Sequence, residues 1–101
     1  MPLVIQFHGV YDVPTLLCDH CGEVIREAKD GNYQWPQEAR ETASQPALIA
    51  FTHKRCCDAF ERAQGGSWGA IDLEALPYFL MQNLKLSWRE AEAKGRWMAG
   101  G

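Results

Sequence analysis

Two short cysteine and histidine pairs constrain this chain of 101 residues more than any other feature of its sequence. Cys18 and Cys21 are separated by two residues, and so are His53 and Cys56. Zinc in a structural site is held by four nitrogen and sulfur ligands in a tetrahedron. The two spacings therefore predict one zinc ion bound by the side chains of Cys18, Cys21, His53 and Cys56.

The residues around each pair suit a metal site. Gly22 directly follows the first pair, and its freedom to adopt a left-handed backbone allows a tight turn to fold under an ion. Thr52 is a candidate N-cap for a helix over residues 53–64, which Gly65 would end. Residues three apart on a helix share one face, so the second pair is expected in the first turn of that helix.

The composition of the site leaves several alternatives open. His53 and Cys57 also share a helix face, so Cys57 is an alternative to Cys56. We prefer Cys56, because its spacing suits a first-turn clip, and expect Cys57 to pack inward near Phe60. Iron is an alternative metal, although three cysteines and one histidine favour zinc. A further alternative leaves Cys18 and Cys21 without metal, as an unligated or thiol-redox pair.

Length and charge limit what the domain can do. The chain has the size of one domain, residues 1–101, and a domain this small buries only roughly two thirds of the surface of its unfolded chain. A metal would therefore help it to stay folded. The net charge is −3, and a bound zinc ion with three thiolates would make it about −4. A negative total disfavours nucleic acid as a partner.

The pattern of apolar residues and turn formers predicts an α+β fold. Strands are expected at residues 3–7, 15–18 (after a turn at 12–14) and 47–51, and a β-hairpin at 24–35. Helices are expected at 53–64 and at 72–84, the second capped by Asp72 with Pro77 kinking or separating its first turn. Ser87 and Glu90 form a capping box that opens a last helix. The zinc-bound core would span residues 18–64, and a helical extension residues 72–98.

The sequence also bears on location. The first residues lack the basic start of a targeting segment, and no apolar run approaches the length of a membrane span. We therefore expect a cytoplasmic protein. In a reducing compartment four cysteines are more typical of metal ligands or free thiols than of disulfides.

The order of these features resembles a treble-clef zinc finger, in which a Cys-x-x-Cys-Gly knuckle precedes a β-hairpin and a helix that supplies two more ligands. Cys18, Cys21, His53 and Cys56 match those ligand positions in turn. The second pair is also similar to the first half of a LIM domain, but the 31 residues between Cys21 and His53 exceed the LIM spacing and no second ligand set follows. The chain as a whole resembles small uncharacterised bacterial zinc-binding proteins.

The resemblance implies several possible functions, because treble clefs serve in many roles. We expect a structural-zinc module that mediates protein–protein interaction or self-association and is not an enzyme. Its surface would draw on the apolar segment 78–81 and on one of four tryptophans (Trp35, Trp68, Trp88 and Trp97). Nucleic-acid binding is the alternative, through Lys54, Arg55, Arg62, Lys85, Arg89 and Arg96. A treble-clef nuclease is disfavoured because residues 24–35 hold no histidine base.

Overall fold

The computed structural model describes residues 3–7, 12–37 and 47–98, which form a small α+β structure. Its strands are β1 (Leu3–Phe7), β2 (Asp12–Leu16), β3 (Gly31–Pro36), β4 (Ala50–His53) and β5 (Trp68–Asp72). Its α-helices in these ranges are α1 (Cys57–Gln64), α2 (Leu76–Asn83) and α3 (Trp88–Met98). Short 3-10 turns cover Ala28–Asp30, Lys54–Cys56 and Leu73–Ala75.

The strands form two antiparallel sheets. β1 and β2 make a two-stranded ribbon in which Leu3 is opposite Leu16. In the second sheet β3 lies in the centre, with β4 on one side and β5 on the other. The register places Tyr33 opposite Phe51 of β4 and Ile71 of β5. β3 therefore connects the chain segments before and after α1.

The core is small and includes two of the predicted metal ligands. Its buried cluster consists of Cys18, Ile25, Tyr33, Cys56 and Leu73. Phe60 of α1 is also buried, and its ring meets the Trp68 ring edge to face, with centroids 5.3 Å apart. Because so few apolar side chains are buried in the described ranges, the core is marginal by itself, as the chain length suggests.

The predicted hairpin over residues 24–35 is wrong. Val24 makes an isolated bridge back to Leu17, and the chain then passes through the 3-10 turn Ala28–Asp30 into β3. β3 pairs with β4 and β5 instead of with the segment before it. Gly31 permits this path, because a Cβ atom there would lie 2.8 Å from Leu73 Cδ2. The turn residues at 29–32 end the 3-10 turn and begin a strand.

Two element boundaries also differ from the prediction, and one strand is additional. Asp12 to Pro14 belong to β2 and not to a turn, because a proline is tolerated in an edge strand such as this one. The strand expected at 47–51 is displaced to Ala50–His53. The sequence does not predict β5, because Gly65, Gly66 and Gly69 are atypical of a strand and leave too short a stretch of alternating apolar and polar residues. Gly69 is required there by the Trp35 ring, which would lie 2.6 Å from a Cβ atom.

The helix starts differ in detail from those expected. Thr52 is buried in β4, so it does not cap the helix; a 3-10 turn at Lys54–Cys56 leads into α1. Gly65 does end α1, with a φ of 75° and its N–H bonded to Glu61 O. Asp72 occupies the N-cap position of the next turn without a side-chain cap bond. That first turn is a separate 3-10 segment, one of the two outcomes predicted for Pro77.

The C-terminal helices agree in position with the sequence. The capping box is confirmed, since Ser87 Oγ accepts a bond from Glu90 N–H and Ser87 N–H donates to the Glu90 carboxylate. The apolar stripe of α2 is less buried than a core helix requires, with Leu80 and Leu84 both exposed. Within the described part of the chain, no helix is both long and apolar enough to cross a membrane.

Candidate metal centre

Three separate segments bring the four predicted ligands together. Cys18 and Cys21 lie on the knuckle after β2, His53 ends β4, and Cys56 ends the 3-10 turn before α1. Their sulfur and nitrogen atoms all lie within 4.8 Å of one another. Cys18, His53 and Cys56 are buried and Cys21 is exposed. The cluster therefore sits at the edge of the core with one side toward solvent.

The knuckle is held by backbone hydrogen bonds. Cys18 N–H donates to Glu23 O at 2.8 Å, and Gly22 N–H donates to Cys18 O at 2.9 Å. Gly22 has a φ of 78°, so the left-handed backbone expected of it is confirmed. The knuckle is joined to β4 at Asp19, whose N–H donates to Phe51 O and whose carboxylate accepts from Phe51 N–H at 2.8 Å. This link places the two ligand pairs side by side.

Backbone N–H groups hold Cys18 Sγ in place, and a contact with a backbone carbonyl orients the His53 ring. The N–H groups of Cys21 and His53 point at Cys18 Sγ, with nitrogen to sulfur distances of 3.5 Å and 3.4 Å. His53 Nε2 lies 3.1 Å from Val24 O. Because a carbonyl oxygen can only accept a hydrogen bond, Nε2 is the donor in this contact. In the neutral imidazole this contact leaves the lone pair on Nδ1, which lies 3.4 Å from Cys21 Sγ, the tautomer that metal-bound histidines adopt when their other ring nitrogen donates.

These dimensions fit a tetrahedral zinc ion. Zinc–sulfur bonds of about 2.3 Å and zinc–nitrogen bonds of about 2.0 Å imply ligand-to-ligand separations of about 3.5–3.8 Å. Cys21 Sγ lies 3.4 Å from His53 Nδ1, and no pair in the set exceeds 4.8 Å. Small side-chain movements would therefore complete the tetrahedron. Four protein ligands also leave no open position for water.

The electrostatics of the cluster differ between its buried sulfurs. Burial raises the pKa of Cys18, but the N–H groups of Cys21 and His53 outweigh it and lower that pKa to about 6. Burial raises the pKa of the Cys56 thiol to about 11, and the neighbouring sulfurs of Cys18 and Cys21 act in the same direction. The protein without metal therefore favours one thiolate at Cys18 and resists a second at Cys56. A divalent cation removes that resistance.

Metal affinity should consequently depend on pH. Between pH 6.5 and 8 Cys18 is already ionised, whereas Cys56 must release its proton, so the apparent affinity should rise at least about tenfold per pH unit. Below pH 6 Cys18 must also lose a proton, and the slope should steepen. Competition with a chelator of known pH dependence measures this slope. An affinity that stays constant from pH 6.5 to 8 would contradict it.

Cys57 lies outside the ligand cluster. Its side chain is half-buried and its thiol points toward Glu61 Oε2 at 3.4 Å, so it does not pack as the purely apolar residue expected beside Phe60. Burial raises the pKa of Cys57, and the Glu61 carboxylate acts in the same direction. The group of ligand atoms within reach of one ion contains Cys56 and not Cys57.

A buried polar network next to the site was not anticipated from the sequence. Gln34 of β3 and Thr52 of β4 are fully buried. The Thr52 hydroxyl donates to Gln34 Oε1, and Gln34 Nε2 donates to Glu61 Oε2 at 2.8 Å. The network joins β3, β4 and α1 directly behind the second ligand pair. No pattern in the sequence predicts this network, because Gln34, Thr52 and Glu61 come from three distant segments.

Exposed charges surround the cluster. His20, in the knuckle, is exposed as its position between the ligands suggests. Arg55 pairs with Glu23 at 3.6 Å, and Lys54 pairs with Asp72 at 3.5 Å. Both are weak surface pairs in high dielectric. They balance local charge and tie the 3-10 turn to the knuckle and to β5.

Comparison with known proteins adds no relative to these observations. Neither the scan against protein families, nor the search of curated proteins, nor that of solved structures finds a match.

Proposed function

We propose that this chain is a structural-zinc module of the treble-clef type that acts by binding another protein chain. The observation that carries the proposal is the cluster of four ligand atoms within 4.8 Å at the edge of the core. An ion bound there would tie the knuckle, β4 and the start of α1 together. The apparent binding energy of such sites is on the order of 10 kcal/mol, so the metal would supply much of the stability.

The treble-clef assignment is supported by the order of the elements. The knuckle comes first, an antiparallel strand pair (β3 and β4) follows, and a helix begins at the second ligand pair. The hairpin of this arrangement is formed by β3 and β4, and not by residues 24–35. The large separation of the two ligand pairs then corresponds to the long connection between those strands.

A structural rather than a catalytic metal is supported by the ligands and their surroundings. Three thiolates and one imidazole would complete the coordination sphere. His53 is oriented by a backbone carbonyl, and Cys18 and Cys56 are part of the core cluster. An ion held in this way lacks the open position at which a catalytic zinc activates water.

A protein partner is supported by the C-terminal helices. These helices and the segment between them carry an unusual number of exposed apolar side chains: Tyr78, Phe79, Leu80, Leu84, Leu86, Trp88, Trp97 and Met98. A surface of this kind is typical of interaction sites. Nucleic-acid binding is less well supported, since Lys54, Arg55 and Arg96 are each paired with an acidic residue.

X-ray absorption at the zinc edge tests the site. Purified protein should contain about one zinc per chain, with three sulfur neighbours near 2.3 Å and one nitrogen near 2.0 Å. This spectrum distinguishes a closed structural site from an open one. A fourth neighbour that is a water oxygen, or fewer than three sulfurs, would refute the proposal.

A further inference from the structure

Helix α3 stands apart from the rest of the protein. In the described ranges, α3 makes few contacts with any other element. Ala91 is half-buried there, and the other residues of α3 are exposed. The radius of gyration is 15.4 Å, above the roughly 13 Å of a compact domain this size. An 11-residue helix is marginal in water when nothing covers it. Cover from another chain would therefore stabilise α3.

One face of α3 is apolar and narrow in the middle. At 3.6 residues per turn, Trp88, Ala91, Gly95 and Met98 fall within a sector of about 80°. Large side chains lie at both ends of this stripe and small ones at its centre. A Cβ atom at Gly95 would meet nothing within 4 Å, so nothing in the part of the chain that the structure describes requires a glycine there. Glycine inside a helix is unfavourable by about 1 kcal/mol, and a close approach from another chain would give it a use.

The charges that flank the stripe are arranged in a self-complementary order. Glu90 precedes Lys94 on one flank, and Glu92 precedes Arg96 on the other. Beside a parallel copy, each glutamate would face a glutamate. Beside an antiparallel copy centred midway along the stripe, Glu90 meets the partner copy's lysine and Glu92 its arginine. The antiparallel arrangement also places Trp88 opposite Met98 of the second copy, and Ala91 opposite Gly95 of the second copy.

We propose that the partner is a second copy of this chain and that the two α3 helices pair antiparallel about a two-fold axis that crosses the stripe between Ala91 and Gly95. This assignment deepens the proposed function and rests on it only in that the zinc-bound domain must be folded. An isologous contact of this kind closes on itself and gives a dimer. The intrachain Glu92–Arg96 pair, 2.8 Å long, would then be shared between chains as a four-charge ring.

The exposed area is of the size that a weak dimer needs. A specific interface buries about 800 Å² on each partner. Trp88, Tyr78 and Phe79 are 65%, 60% and 46% exposed. At 150–250 Å² per aromatic side chain they offer about 250–450 Å². The exposed Leu80, Leu84 and Met98 bring the total close to the required area. α2 ends five residues before Trp88, so a short connection joins the two helices and the exposed apolar side chains of both are available to a second copy.

Sedimentation velocity of the zinc-loaded chain between about 1 and 500 µM tests the pairing, with a dissociation constant in the micromolar range expected. Gly95→Gln should weaken the dimer by at least about tenfold, because a long side chain separates the helices at their closest point. Ala93→Gln, on the face opposite the stripe, should leave it unchanged. Zinc content and helical circular dichroism report whether each variant is folded. Wild type that stays monomeric, or equal effects of the two variants, would overturn the pairing without touching the zinc proposal.

A charge exchange separates pairing between chains from pairing within one chain. Glu92→Arg and Arg96→Glu should each weaken the homodimer on the order of tenfold, because like charges then meet in the ring. An equimolar mixture of the two variants should form heterodimers, since each chain now carries the charges that the other lacks. Pairing within a chain is not repaired by mixing. Failure of the mixture to associate more strongly than either variant alone would overturn the antiparallel arrangement.

Discussion

Cys56→Ser should empty the proposed zinc site and unfold the core around it. The variant removes one of three sulfurs from a buried cluster that includes Cys18 and His53. A structural zinc contributes apparent binding energy on the order of 10 kcal/mol, which is comparable to the total stability of 5–15 kcal/mol of typical domains. Losing it leaves a core of only a few buried apolar residues. Metal analysis and circular dichroism should show zinc below about 0.2 per chain and loss of the cooperative thermal transition.

Cys57→Ser is the matched control, one residue further along the chain. Its side chain contacts Glu61 and takes no part in the ligand cluster. The serine hydroxyl can donate the same hydrogen bond as the thiol, so the free energy of unfolding should change by less than about 1 kcal/mol. The variant should keep one zinc per chain. If Cys57→Ser loses the metal and Cys56→Ser retains it, the helix register assumed for the site is wrong.

The local spacing of ligands was readable from the sequence because it depends on short segments. Cys18 and Cys21 lie on one tight turn, and Gly22 supplies the backbone conformation that such a turn needs. His53 and Cys56 are likewise joined through a single turn. The prediction that both pairs face one point followed from the preference of a metal ion for four such ligands. Spacing alone left Cys57 open, because the difference between three and four residues depends on the 3-10 turn before α1.

The pairing of strands was not readable in the same way. Residues 24–35 carry turn formers between two apolar stretches, which locally favours a hairpin. The fold instead pairs β3 with β4 and β5, which lie about 20 and 40 residues further along the chain. Those contacts are stabilised by packing at Gly31 and Gly69, where a ring or a leucine side chain occupies the space of a Cβ atom. A sequence window contains no information on such distant neighbours.

The buried polar network also depends on residues that are distant from one another in the sequence. Gln34 looks like an exposed strand residue in the sequence, but it is fully enclosed, and its amide bonds to Thr52 and Glu61 at its two ends. Burying an amide is tolerated only when its polar atoms are bonded. The partners come from β4 and α1, so the network can form only after the three elements have met. It specifies their mutual position and thereby the position of the second ligand pair.

Gln34→Leu should therefore destabilise the protein more than an ordinary strand substitution. The leucine fills a similar volume but leaves the buried Thr52 hydroxyl without an acceptor and the Glu61 carboxylate without its amide donor. Each loss costs about 1–3 kcal/mol, so a total near 3 kcal/mol and a melting temperature lower by more than about 10 °C are expected. Glu61→Gln keeps an acceptor for the Gln34 amide and should cost less than about 1 kcal/mol. Equal melting temperatures for the two variants would mean that the network does not hold β3, β4 and α1 in register, and that the core cluster around the ligands does so alone.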